Sequence, residues 1–181
     1  MLKRNLTFDV GAHTAYAFWQ GSVHPVVGEI KIKGKKSFHD RFEIQIEQFK
    51  KILDFYKSKG LDRVIIESVE LWANSTKSMS SATQGHLLDL TMLVGAYYCI
   101  TLQSGLICKL TPAREWKGNL TKEATARRVE LINNTIYPND HITDAVGVGL
   151  SQEKNLWCLK ELKNLNSNGS KKRNLYRLKN F

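Results

Sequence analysis

Asn5-Leu6-Thr7-Phe8-Asp9-Val10-Gly11 alternates cleanly: Leu6, Phe8 and Val10 fall on one side, Thr7 and Asp9 on the other. That period of two is the mark of a strand with one face in a core. Gly11 punctuates it, Thr14 to Trp19 reads as a second strand, Gln20-Gly21-Ser22 as a tight turn, and Val26 to Lys33 as a third strand. Turn signals at this short spacing predict a three-stranded antiparallel meander. Aspartate is disfavoured within strands, so Asp9 needs another reason to be there.

Further along, Phe42 to Tyr56 carries apolar residues at near-helical spacing, and Lys59-Gly60 reads as its stop. Val64-Ile65-Ile66, inside Arg63 to Glu67, is short and β-branched, which predicts a strand buried on both faces. Ser78 to Ser104 reads as a long helix, announced by Ser80 and Ser81 and closed by Ser104-Gly105. Its apolar residues surround nearly the whole circumference, more than one core-facing stripe requires, so one side is expected to meet another protein chain. Leu106 to Leu110 is a strand again, Pro112 opens a short helical turn, and Thr121 to Ile132 is an amphipathic helix. A last helix runs from Ile142 to about Leu150, capped by Asn139 or Asp140. The order βββαβαβαα is that of an α/β fold, with the antiparallel meander feeding parallel strands in one mixed sheet flanked by helices. Asn164 to Ser170 reads as a linker, which gives a domain over 1–163 and a basic tail over 164–181.

The chain of 181 residues suits one domain, and its 42% hydrophobic content excludes wholesale disorder. No apolar run approaches the ~18 residues of a membrane span, so no membrane is expected. Met1-Leu2-Lys3-Arg4 leads straight into the first strand without an export signal, so the chain is expected in the cytoplasm, and its small size and basic tail suggest, by analogy, a bacterial cell or phage-infected host. Three widely spaced cysteines, Cys99, Cys108 and Cys158, are expected to be small buried hydrophobes. The net charge is +10, concentrated in Lys31, Lys33, Lys35 and Lys36, in Lys109 to Arg128, and beyond Lys154, where Lys171-Lys172-Arg173 opens the last cluster. Such clusters suit a polyanion, because each phosphate neutralised releases condensed counterions. Charge alone does not separate an enzyme from a binder.

Four residues are awkward to explain structurally: Asp9 in the first strand, Glu67 ending the buried strand, and His141 and Asp144 three apart at the head of the last helix. If the first and fourth strands are neighbours, Asp9 and Glu67 lie side by side. Carboxylates brought together repel, and the remedies are raised pKa values or a divalent cation. Oxygen-rich sets with one imidazole suit Mg²⁺ or Mn²⁺, and two such ions can activate a water and hold the leaving oxygen of a phosphodiester. Each residue also has a plainer reading: Asp9 shaping a turn, Glu67 pairing with a lysine, Asp144 facing a helix dipole, His141 beside a cap.

Phe8-Asp9-Val10-Gly11, Ile65-Ile66-Glu67, Ala82-Thr83-Gln84-Gly85 and His141-Ile142-Thr143-Asp144-Ala145 resemble, in order and spacing, the RuvC-like Holliday-junction resolvases of the RNase H-like superfamily. The resemblance covers roughly Leu6 to Leu150. It implies an RNase H-like fold and a homodimer that nicks two opposing strands of four-way DNA junctions in recombination and repair. Cleavage would need Mg²⁺, with Mn²⁺ as substitute and two ions per active site, and would leave 5′-phosphate ends. Asp9 would bridge the metals, Glu67 and Asp144 would each complete one coordination sphere, and His141 would be a ligand or orient the water, with Asp140 as the reserve. Helix 82–102 would be the dimer seam. Lys117, Lys122, Arg127 and Arg128 fall where the family grips the phosphate backbone. The family also carries an aromatic or apolar wedge, commonly three places past the strand-four glutamate. Glu70 stands there, so the wedge role shifts to Leu71 and Trp72, against the alternative that Trp72 packs on the long helix, as the burial usual for tryptophan favours. Lys171, Lys172 and Arg173 lie beyond the resemblance and would clamp a DNA limb.

Three competing readings remain at this point: an RNase H-like nuclease acting on flaps, other branched DNA or RNA; a non-catalytic basic DNA-binding protein; and, from Asp9-x-Gly11, the phosphate-binding strand of actin- or hexokinase-like kinases. The last needs two such domains, more than this length provides.

Overall fold

A computed structural model of the chain describes residues 4–22, 24–34, 36–70, 85–152 and 157. The elements are β1 (Asn5–Asp9), β2 (Thr14–Trp19), β3 (Val26–Ile30), α1 (Phe38–Lys57), β4 (Arg63–Ser68), α2 (His86–Gln103), β5 (Ile107–Pro112), α3 (Ala113–Trp116), α4 (Lys122–Asn133) and α5 (Asp140–Ser151). The five strands form one mixed sheet in the order β3-β2-β1-β4-β5. β1, β2 and β3 make the antiparallel meander, while β4 runs parallel to β1 and β5 parallel to β4. In the β1–β4 register Leu6 faces Val64 and Phe8 faces Ile66, so Asp9 and Glu67 follow one position later at the same end of the sheet.

Alternation along β1 and β4 divides the core into two layers. Leu6, Phe8, Val10, Val64 and Ile66 pack against Phe49 and Leu53 of α1 and Leu93 and Tyr97 of α2. Ala15, Ala17, Trp19 and Ile65 pack on the other face against Val129 of α4 and Ile142, Ala145 and Val146 of α5. Val64, Ile65 and Ile66 are fully buried, as a strand covered on both faces requires.

The boundaries that differ from the sequence reading have local causes. α1 starts at Phe38 rather than Phe42, because the Ser37 hydroxyl accepts from the Asp40 N–H and caps a polar first turn that apolar periodicity does not register. β3 ends at Ile30 rather than Lys33, because Ile30 pairs with Thr14, the first residue of β2, and nothing on β2 lies beyond it. Asn139 caps α5, its Oδ1 accepting from Ile142 N–H at 2.9 Å. Cys99 corrects an expectation: it is exposed, on the side of α2 turned from the sheet, and Cys108 is only half-buried. α2 begins at His86; the earlier start expected for this helix, at Ser78 to Gln84 with Ser80 and Ser81, lies outside the described residues, as do Leu71, Trp72, Cys158, Lys171, Lys172 and Arg173. No helix among the described residues is long and apolar enough to cross a membrane.

α5 lies unusually close to its neighbours, and two glycines permit it. A Cβ on Gly147 would sit 2.4 Å from a ring carbon of Trp116, and one on Gly149 would sit 2.1 Å from Trp19 Nε1. The buried Thr7 hydroxyl donates to Ala145 O at 2.7 Å, tying β1 to the helix turn that carries Asp144.

Candidate active site

Asp9 and Glu67 leave the sheet on the side of Thr7 and Ile65, the side covered by α5. The first turns of α5 present His141 and Asp144 to them. His141 Nδ1 lies 2.8 Å from Asp9 Oδ2. An ionised carboxylate only accepts, so Nδ1–H donates and Nε2 becomes the ring's acceptor or ligand atom. Lys117, at the C-cap of α3, places Nζ 2.9 Å from Asp144 Oδ2 and 3.8 Å from Glu67 Oε1. The four residues singled out in the sequence are therefore drawn together, with one lysine among them.

The electrostatics follow from that crowding. Burial, then the Asp9 charge, pushes the Glu67 carboxyl up to about 8; Lys117 opposes this and Asp144 adds to it. Burial also raises Asp144, against the pull of Lys117. For Lys117, burial works against the charge, but Glu67 and Asp144 reverse this and hold the ammonium above its ordinary value. The hydrogen bond that His141 donates to Asp9 raises the pKa of the imidazole. Glu67 Oε2 is buried without a hydrogen-bond partner; so is Trp116 Nε1, near enough to favour the ionised carboxyl without bonding to it.

Three carboxylates with one imidazole are an oxygen-rich donor set that would suit Mg²⁺ or Mn²⁺, and Glu67 Oε2, buried without a hydrogen-bond partner, would be available to such an ion. Among the described residues, no group of three or more His, Cys, Asp or Glu side chains is assembled, as it stands, to hold a metal ion. The Lys117 ammonium engages Glu67 and Asp144.

Asp140, the reserve ligand, points elsewhere: it is exposed and pairs with Lys122. Arg127 is exposed and Arg128 half-buried on α4, where they line a groove of about 290 Å³ with Thr121 and Leu131. Arg128 also sits 5.1 Å over the Trp157 ring. Glu70 binds Arg114, accepting from its Nε at 3.0 Å. On the far side of His141, a second groove of about 380 Å³ is lined by His13, Lys31 and Lys33, absorbing part of the lysine cluster noted in the sequence.

Two contributors escaped sequence reasoning. Lys117, expected among the phosphate grips, lies among the acids, and the plainer reading of Glu67 as half of an ion pair is the signal for it. Gln45 is buried in α1, donating Nε2–H to Gly11 O at 2.9 Å and accepting from Thr14 Oγ1 at 2.5 Å. It fixes the loop that follows Asp9, and nothing in its helical spacing announces this.

No family model matches the chain, and no curated protein does. Among solved structures, the chain is similar to Thermus thermophilus RuvC in complex with a Holliday junction substrate, at 13% identity and a TM-score of 0.63, over 83% of this chain and 93% of that one. It is similar also to Thermus thermophilus RuvC without mention of a substrate, at 14% identity and a TM-score of 0.58, with the same coverage. The mixed sheet, its strand order and the helices on its two faces thus give this chain a RuvC-like, RNase H-like fold.

Proposed function

We propose that the protein is a metal-dependent endonuclease that resolves four-way DNA junctions. The observation that carries this reading is the meeting of Asp9, Glu67, His141 and Asp144, from β1, β4 and α5, at one end of a RuvC-like sheet. Asp9, Glu67 and Asp144, with His141, would hold Mg²⁺ or Mn²⁺, two ions per site by the resemblance; when bound, these supply an activated water and charge for the leaving oxygen. The chain's own part is positioning. Asp9 orients the His141 ring so that Nε2 can accept a hydrogen bond from water, and buried walls around Glu67 strengthen every charge interaction there. Water oxygen bonds to phosphorus as the P–O3′ bond breaks, leaving a 5′-phosphate and a 3′-hydroxyl. Lys122, Arg127 and Arg128 would position the backbone without reading bases.

The exposed side of α2 supports a homodimer. Leu88, Met92, Gly95, Cys99 and Leu102 recur at alternating spacings of four and three residues, which is one continuous helical seam. Leu88, Met92 and Leu102 are 68%, 57% and 47% exposed, a large apolar investment for a surface facing water. A twofold dimer would present two sites to a pseudo-symmetric junction.

Labelled four-way junction, plain duplex, flap and RNA duplex, each incubated with Mg²⁺ and with EDTA, test the proposal. Paired symmetric nicks confined to the junction and absent in EDTA are expected. Cutting of flaps or RNA alone would move the substrate assignment, and binding without cleavage in any metal would refute the enzymatic reading.

A further inference from the structure

We propose that Lys117 closes the acid cluster in the metal-free protein, and that a divalent cation enters by displacing its ammonium from beside Glu67 and Asp144. This rests on the metal-dependent reading above. The lysine is placed for the role: its side chain is 23% exposed, between carboxylates that are 14% and 15% exposed, with Nζ 3.8 Å and 2.9 Å from their oxygens. Nζ also sits 4.8 Å over the ring of Trp116, which is buried, so the ammonium has a fixed platform rather than a random surface pose. Lys122, whose charge also reaches Asp144, pairs with the exposed Asp140 rather than with Glu67 or Asp144.

Two cations cannot share this place. A Mg²⁺ ion draws its oxygens to about 2.1 Å, well inside the reach of an ammonium, and the like charges repel. Lysine is a point charge on a flexible four-carbon stem, so it can leave without moving the backbone of α3. Once displaced, it needs an anion, and the incoming DNA phosphate is the one the proposed reaction supplies. Metal and DNA should therefore favour each other's binding, by the same factor in either direction. Lys117 is a positioning residue in this scheme: it guards the ligands and then steadies the phosphate.

The test measures Mn²⁺ binding to the DNA-free protein by the loss of the free-ion electron spin resonance signal. Lys117→Met should bind Mn²⁺ more tightly than wild type, on the order of tenfold, while Lys117→Arg stays weak. Without metal, Lys117→Met should melt below wild type, and Mn²⁺ should raise its melting temperature more than it raises that of wild type. A second measurement needs no variant: the ¹⁵Nζ resonance of Lys117 should shift as Mg²⁺ is titrated into wild-type protein. Equal Mn²⁺ affinity in wild type and Lys117→Met, with an unmoved Nζ resonance, would overturn the displacement while leaving the metal site intact. Failure of both proteins to take up Mn²⁺ would instead bring down the metal reading, and the displacement with it.

Discussion

Glu67 has the most perturbed carboxyl of the site, and its burial beside Asp9 sets a pH signature for the whole protein. Glu67, Asp144 and His141 all have raised pKa values, so the folded state binds more protons than the unfolded chain across their titration ranges. Stability then falls as pH rises from the ordinary carboxylate value near 4.5 to the Glu67 value of about 8. The lowered acids, Glu29, Asp40, Glu47, Glu123 and Asp140, act only below that window. In EDTA, the melting temperature should be lower at pH 8 than at pH 5.5, and Glu67→Gln should remove much of the difference. A flat or rising profile would contradict the burial of this charge. Asp9 was legible in the sequence because it breaks the composition of a strand, whereas Glu67, His141 and Asp144 were legible through their joint placement and the motifs that resemble the RuvC-like resolvases. Lys117 and Gln45 break none: a lysine ending a short helix and a glutamine within an amphipathic one look like solvated surface until the fold turns them inward.

α5 is the element on which the site depends, since it supplies two of the four residues and is held against the sheet by glycine contacts and the Thr7 hydroxyl. Gly149→Ala forces a methyl group into Trp19, which should cost about 1–3 kcal/mol by chemical denaturation. Thr7→Val leaves the Ala145 carbonyl without that donor and should cost about 1 kcal/mol. Both changes should lower cleavage more than DNA binding, because they shift His141 and Asp144 against Asp9 and Glu67 while leaving the α4 basic face alone. Equal losses in binding and cleavage would show that α5 does not position the site. The elements themselves were readable from period-two alternation, the β-branched run of β4 and the Asn139 cap. The first turn of α1 was not, because its side chains are mostly polar and only the Ser37 cap marks it. The closeness of α5 was hidden for another reason: Gly147 and Gly149 look like helix weaknesses until Trp19 and Trp116 are seen against them.

At the scale of the whole molecule, a net charge of +10 goes with an exposed apolar seam on α2. Met92→Glu places a charge in the middle of the α2 stripe and should shift sedimentation from dimer to monomer without unfolding the sheet, because Met92 faces away from the core. A variant that stayed dimeric would put the interface elsewhere. Deleting residues 171–181 removes five basic side chains, Lys171, Lys172, Arg173, Arg177 and Lys179, and should flatten the salt dependence of junction binding. An unchanged slope would exclude the tail from the DNA interface. The mixed topology was legible because turn chemistry and strand burial together leave few arrangements, whereas the seam proposed for dimerisation showed only as surplus apolarity on one helix. The most direct measurement compares wild type with Asp9→Asn on a labelled four-way junction in Mg²⁺, recording binding and cleavage in parallel. Wild type should make paired nicks bearing 5′-phosphates, and Asp9→Asn should bind the junction as well yet leave it uncut. Wild-type cleavage by Asp9→Asn would contradict the acid cluster as the seat of catalysis.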